Sequence, residues 1–131
     1  MIRNFEKEDK NEIINLARQF HRENFNENLF SDNFDKIISS SEEAHGIVAL
    51  HAGQYLGYAL VFNKNNYVVI DEIYIKPDFQ KLGVSPQIFD FMEQEYPSEN
   101  YTAFCPAENL VAEKVFKRRN YNLTREKILK Y

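Results

Sequence analysis

Apolar and polar positions along this chain repeat with two different periods, and the changes of period mark out its elements. Residues 1–5 read as a short strand. Over residues 8–23, Ile13, Leu16, Ala17 and Phe20 recur at spacings of three and four, the stripe of an amphipathic helix. An Asn- and Phe-rich segment, 24–33, leads into a short helix at 34–38. Residues 46–50 and 54–62, joined across Ala52-Gly53, predict a hairpin. Residues 63–66 turn into the β-branched run of Val68, Val69, Ile70, Ile73 and Ile75, a largely buried strand that Lys76-Pro77-Asp78 ends with turn chemistry. A helix at 85–96, a strand at 101–105, a helix at 109–119 and a strand at 123–129 complete the order. Strands that pair antiparallel first and are joined through helices later predict an α/β (α+β) class: a mixed central sheet flanked by about four helices. No repeat, low-complexity tract or linker divides the chain, so residues 1–131 are expected to form one domain.

Composition narrows the setting. With 44% hydrophobic and 15% aromatic residues, 131 residues can bury a real core. No apolar run approaches a membrane span, and the first residues lack the apolar stretch of a secretory signal, so a cytoplasmic protein with no membrane role is expected. The single Cys105 cannot form an internal disulfide, and His21, His45 and His51 are too scattered for ligand spacing, so no metal is expected. Residues 1–50 carry ten acids and six bases, and residues 51–131 carry ten of each, so the net charge of −4 sits in the first 50 residues. An acidic balance argues against nucleic-acid binding.

The chemistry concentrates in residues 68–93, which read as strand, tight polar loop and helix in succession. Ser85 suits the N-cap and Pro86 the first helical position. Free backbone N–H groups from Lys81 to Gln87 would then converge at the positive end of the helix dipole, an anion site. Gly83, with no Cβ, allows close backbone approach and unusual dihedrals. The loop lacks both Gly-Lys-Ser/Thr and G-x-G-x-x-G, which disfavours a nucleotide P-loop or a dinucleotide fold.

Gln80-Lys-Leu-Gly-Val-Ser85 resembles the Q/R-x-x-G-x-G/A signature of GNAT-superfamily N-acetyltransferases, with Ser85 in place of the final Gly/Ala. Residues 70–79, Ile-Asp-Glu-Ile-Tyr-Ile-Lys-Pro-Asp-Phe, resemble the family's fourth strand. Residues 109–121 resemble its N-x-x-A-x-x-x-Y-x-x-x-G-F motif: Asn109 and Ala112 match, while Phe116, Asn120 and Tyr121 replace Tyr, Gly and Phe. The resemblance covers nearly the whole chain. It implies acetyl-coenzyme A as cosubstrate, bound through Gln80, Lys81, Gly83, Val84 and Ser85 at the pyrophosphate and through Asn109 and Phe116 in the second motif, with no metal. Backbone donors to the thioester carbonyl would come from Ile73, Tyr74 and Ile75. The acetyl group would pass by direct attack, in a ternary complex, to a primary amine on a small molecule or peptide; a homodimer is left open.

Such transfer needs a neutral amine, a polarised carbonyl and a proton for the departing thiolate. Asp71 and Glu72 are the adjacent acids of the core strand, and strand alternation predicts that only one faces the site. Asp71 stands first, because it matches an acidic position implicated in amine handling in diamine-acetylating relatives. The family's usual acid is the Tyr of the second motif, here Phe116. Water, Tyr74 or Tyr121 would then supply the proton, or turnover is slow, or the chain is a non-catalytic acyl-coenzyme A sensor or partner subunit. Ser85 has two readings, cap or phosphate contact; Gln80, loop brace or phosphate contact; Asn109, N-cap or pantetheine contact. Lys81, Lys114, Lys117, Arg118 and Arg119 gather around the two motifs. Phe25, Phe30 and Phe34 suit an acceptor pocket or a satellite core; the three histidines read as surface or packing residues and Cys105 as a small core residue.

Overall fold

The β-hairpin expected across Ala52-Gly53 closes with His51 opposite Gln54. Ala52 and Gly53 both take positive φ, 51° and 79°, the geometry whose twist matches a two-residue turn between strands. A computed structural model describes residues 1–39 and 43–131. In chain order its elements are β1 (Ile2–Asn4), α1 (Lys10–His21), α2 (Glu27–Ile38), β2 (Ala44–His51), β3 (Gln54–Lys64), β4 (Tyr67–Ile75), α3 (Val84–Glu95), β5 (Tyr101–Phe104), α4 (Leu110–Arg118) and β6 (Asn122–Thr124). The six strands form one sheet in sequence order, antiparallel from β1 to β4 and parallel from β4 through β5 to β6. The predicted class, mixed sheet and four helices are all present.

Alternation along the central strands divides the interior in two. Ile47, Ala59, Val61, Val68 and Ile70 face α3 and α4 and pack on Ile88, Phe89, Met92 and Phe116. Val48, Tyr58 and Leu60 face α1 and α2 and pack on Ile13, Leu16, Ala17, Phe30 and Phe34. Each fully buried Ile or Leu contributes roughly 1.5–3 kcal/mol through burial. Phe30 and Phe34 are therefore core, and Phe25 is packed partly buried against them. Cys105 is fully buried in the other half. No helix among the described residues is long and apolar enough to cross a membrane.

Several local expectations are corrected. The short helix expected at 34–38 begins instead at Glu27, where the Asn26 side chain caps the N–H of Leu29 at 3.1 Å. Asn, Asp and Ser compete for backbone hydrogen bonds and mask a helix, yet Phe30, Phe34, Ile37 and Ile38 keep helical spacing. Phe20 leaves the buried stripe of α1 and is 39% exposed. The last strand ends at Thr124 rather than near Leu129, because the N–H groups of Ile128 and Leu129 bond to a side chain instead of a neighbouring strand. Helix α3 begins at Val84 with Gly83 as N-cap, so neither Ser85 nor Pro86 holds its expected position. Val84 is buried and anchors that first turn, where Pro86 has no intrahelical bond to lose.

One polar cluster ties the N-terminal elements together. Asp9 is fully buried; it accepts from Arg3 Nη1 and Nη2 at 2.7 and 3.0 Å, from the Tyr55 hydroxyl at 2.6 Å and from the Glu6 N–H at 2.7 Å. Burial raises this carboxyl, but those four donors outweigh it and hold it below its ordinary value of 3.8. The unfolded chain thus takes up the proton first, so the stabilisation is complete above about pH 4 and is lost as pH falls through the lower folded value. Asp9→Ala should cost about 3 kcal/mol at neutral pH by stranding Arg3 and Tyr55, and should flatten the acid limb of stability against pH measured by urea denaturation.

Candidate active site

Strand β4 carries one residue more than its partner. Leu60 of β3 lies opposite Glu72 and Val61 lies opposite Ile70, which leaves Asp71 unmatched in a β-bulge. The expectation that alternation sends Asp71 and Glu72 to opposite faces is therefore corrected. Both side chains turn toward the α1–α2 side, and both are buried. Pairing of β4 with β5 stops at the same place, at Ile70 and Ala103, so Ile73 to Ile75 has no β5 residue beside it.

The two acids are fully partnered. Glu72 accepts from the Tyr58 hydroxyl at 2.6 Å and lies 3.0 Å from His21 Nε2 and 2.8 Å from Lys127 Nζ. Asp71 accepts from the N–H groups of Ile128 and Leu129 at 2.8 and 3.0 Å and lies 3.3 Å from Lys127 Nζ. Burial pushes the Glu72 carboxyl up, but His21 and Lys127 outweigh that and leave it below its ordinary value. Burial and the neighbouring Glu72 raise the Tyr58 phenol well above its own, so it remains a donor. His21 is thus part of the acid cluster rather than a surface or packing residue, stacked on Phe25 and edge-on to Tyr131.

A cleft of ≈ 540 Å³ is lined by Phe20, Arg22 and Ile73, the chain neighbours of this cluster, while Asp71, Glu72, His21 and Lys127 themselves lie outside its lining. Gln19, Phe20 and Arg22 from the end of α1 line one wall, Ile73 to Ile75 the floor, and Ser85, Asn109 and Phe116 the α3–α4 side. At its mouth, Gly83 has φ 77°. A Cβ there would meet no atom within 4 Å, so the left-handed backbone, not crowding, calls for glycine. The N–H groups of Lys81, Gly83, Val84 and Ser85 donate to no acceptor among the described residues. Gln80 braces the loop, its Nε2 donating to the Ile75 carbonyl at 3.0 Å, and Asn109 caps α4 by accepting from the Ala112 N–H at 3.1 Å.

The Acetyltransferase (GNAT) family matches residues 10–121. The chain belongs to this family. No curated protein matches it in sequence. AAC(6')-Iy in complex with the bisubstrate analog CoA-S-monomethyl-acetylneamine superposes with a TM-score of 0.80 at 17% identity, over 100% of this chain and 95% of that one. Aminoglycoside antibiotic 6'-N-acetyltransferase AAC(6')-IG from Acinetobacter haemolyticus gives 0.78 at 10% identity, over 100% and 96%. Ribosomal-protein-alanine N-acetyltransferase from Brucella melitensis biovar Abortus 2308 gives 0.72 at 11% identity, over 100% and 99%. At these identities the likeness is one of fold.

Acetyl-coenzyme A is the cosubstrate of the GNAT family, and the residues present suit it: open N–H donors and a left-handed glycine at a helix start, with a cleft of mixed polar and apolar lining behind. Of the two phenols considered as acids, Tyr74 lines the cleft and Tyr121 does not. The Tyr121 hydroxyl donates to Glu93 Oε1 at 2.9 Å, and burial together with that carboxylate raises it. Arg119 is held by Asp90 and Glu93, and Lys117 by Glu113, whereas Lys81, Lys114 and Arg118 pair with no described acid. His21 and Lys127 escaped sequence reasoning because they lie outside both motifs. The available signal was that two adjacent acids in an apolar strand require cations, and residues 125–130 hold three otherwise unassigned ones. Gly83→Val should lower stability by about 1–2 kcal/mol from the left-handed backbone alone, and should abolish the rise in Tm that coenzyme A gives the parent chain.

Proposed function

We propose that the chain acetylates a primary amine brought to Asp71 and Glu72 from the cleft side of β4. The observation that carries this reading is the bulge at Asp71, which turns two buried carboxylates to one side of β4 immediately before Ile73 to Ile75, the stretch of strand that lines the cleft. Acetyl-coenzyme A supplies the acyl group as a thioester. Gly83, Val84 and Ser85 offer N–H groups to its diphosphate, and the backbone of Ile73 to Ile75 offers donors to its carbonyl.

Asp71 and Glu72 hold the acceptor as an ammonium ion, the Glu72–His21 pair takes one proton from it, and the neutral amine then attacks, its second proton replacing the one that Tyr74 gives up. A C–N bond forms and a C–S bond breaks; Tyr74 returns a proton to the leaving thiolate, and one proton passes to solvent overall. This assignment gives Glu72 priority over Asp71, since Asp71 is occupied by two backbone N–H groups while Glu72 meets the imidazole. A second reading, an acyl-coenzyme A-binding module without turnover, is favoured by Phe116 in the place of the family's tyrosine.

Glu72→Gln should lower kcat by roughly a hundredfold, within the range of general base catalysis, with coenzyme A affinity unchanged; steady-state acetylation of an amine panel across pH is the measurement. Full activity in that variant would remove Glu72 from the chemistry, and a parent that binds coenzyme A yet acetylates no amine would favour the binding module. Tyr74→Phe should lower kcat more than KM, and Phe116→Tyr in that background should recover part of the rate by restoring a phenol to the same cleft.

A further inference from the structure

Lys127 occupies a receptor built for an ammonium group. Its Nζ lies 2.8 Å from Glu72 Oε2 and 3.3 Å from Asp71 Oδ2, and it sits over the rings of Tyr131 and Phe104 at 5.2 and 5.7 Å. Two carboxylates and two aromatic faces are the groups by which proteins bind alkylammonium ions. The same segment presents more than a charge. The N–H groups of Ile128 and Leu129, the two residues after the lysine, both donate to Asp71. Leu129 packs against the apolar cluster of Ala44, Phe62 and Val69, while Ile128 is 37% exposed.

We propose that residues 127–129 fill the acceptor subsite as a tethered stand-in, and that the acceptor this subsite takes is a lysine side chain on an extended peptide with an apolar residue two positions on. The inference rests on the acetyltransferase reading above and narrows its acceptor. Adjacent acids on the bulged strand read an ammonium and two consecutive backbone amides together. An aminoglycoside or a polyamine offers ammonium groups but no such amide pair. A ligand tethered by a short segment competes at an effective concentration in the millimolar range, so the resting chain masks the subsite from weaker free acceptors.

The test uses a blocked peptide with the sequence of residues 124–129, Thr-Arg-Glu-Lys-Ile-Leu, and a control with norleucine in place of lysine. In the full chain, Lys127→Met withdraws the ammonium, and Ile128→Pro withdraws one amide donor while keeping the lysine. Both variants should bind the lysine peptide at least tenfold more tightly than the parent by calorimetry, should not bind the norleucine peptide, and should acetylate the lysine peptide with a correspondingly lower KM. The proposal is overturned if either variant, shown to be folded by a coenzyme A-induced rise in Tm, binds the lysine peptide no better than the parent. It is equally overturned if the norleucine peptide binds as well, or if an aminoglycoside is acetylated with a higher kcat/KM than the peptide. A chain that acetylates nothing would refute the acetyltransferase reading, while the calorimetric comparison would still decide the lysine subsite by itself.

Discussion

Side chains alternate along a strand, so two adjacent acids can serve one pocket only where the strand carries an extra residue, and β4 carries it at Asp71. The bulge also falls where β4 parts from β5. Three consequences meet at that point. The strand edge from Ile73 to Ile75 is left without a β5 neighbour and floors the cleft; Asp71 and Glu72 turn together toward α1; and Lys127, from the segment after β6, pairs with both acids. Arg125 anchors that segment by donating to the Cys105 carbonyl at the end of β5.

The same rule for buried charge operates at two places in the fold. At the N-terminal end, Asp9 joins a turn, a strand and the hairpin through Arg3 and Tyr55, and every acceptor site is filled from within the chain. Around Glu72 the donors are a tyrosine, a histidine and a lysine drawn from three separate parts of the sequence. The first cluster lies away from the cleft and is a fastening. The second is joined through His21 and Glu72 to the cleft-lining residues Phe20, Arg22 and Ile73 beside them in the chain, and its lysine comes from an irregular segment held by a few side-chain contacts, the kind of region that opens at lowest cost.

What the sequence made legible was local in origin. The hairpin turn, the β-branched strand, the Asn109 cap and the glycine ahead of α3 each declare themselves within a few residues, and each is found in place. The paired motifs also led to the family that residues 10–121 match. What stayed hidden depends on tertiary partners. A bulge has no residue code of its own. Helix α2 was obscured by polar residues whose propensity the packing of Phe30 and Phe34 overrides. The expected final strand stops short at Thr124 because Asp71, more than fifty residues earlier in the chain, claims the N–H groups that a sheet would have used. His21 belongs to the same class: only the folded chain brings it beside Glu72.

The lysine between the acids has an electrostatic role apart from any acceptor. Two like charges in close proximity repel by a few kcal/mol at an effective dielectric near 20, which works against both of two neighbouring buried carboxyls being ionised at once. An ammonium shared between them offsets that repulsion, and together with the hydrogen bond to His21 it holds Glu72 below its ordinary pKa. A carboxyl that had taken up a proton could neither hold an incoming ammonium nor support an imidazole that accepts its proton. In exchanging Lys127 for an acceptor amine, the site would pass from one ammonium to another without leaving the acid pair unpaired, and the desolvation cost of two bare buried carboxylates would never arise in full.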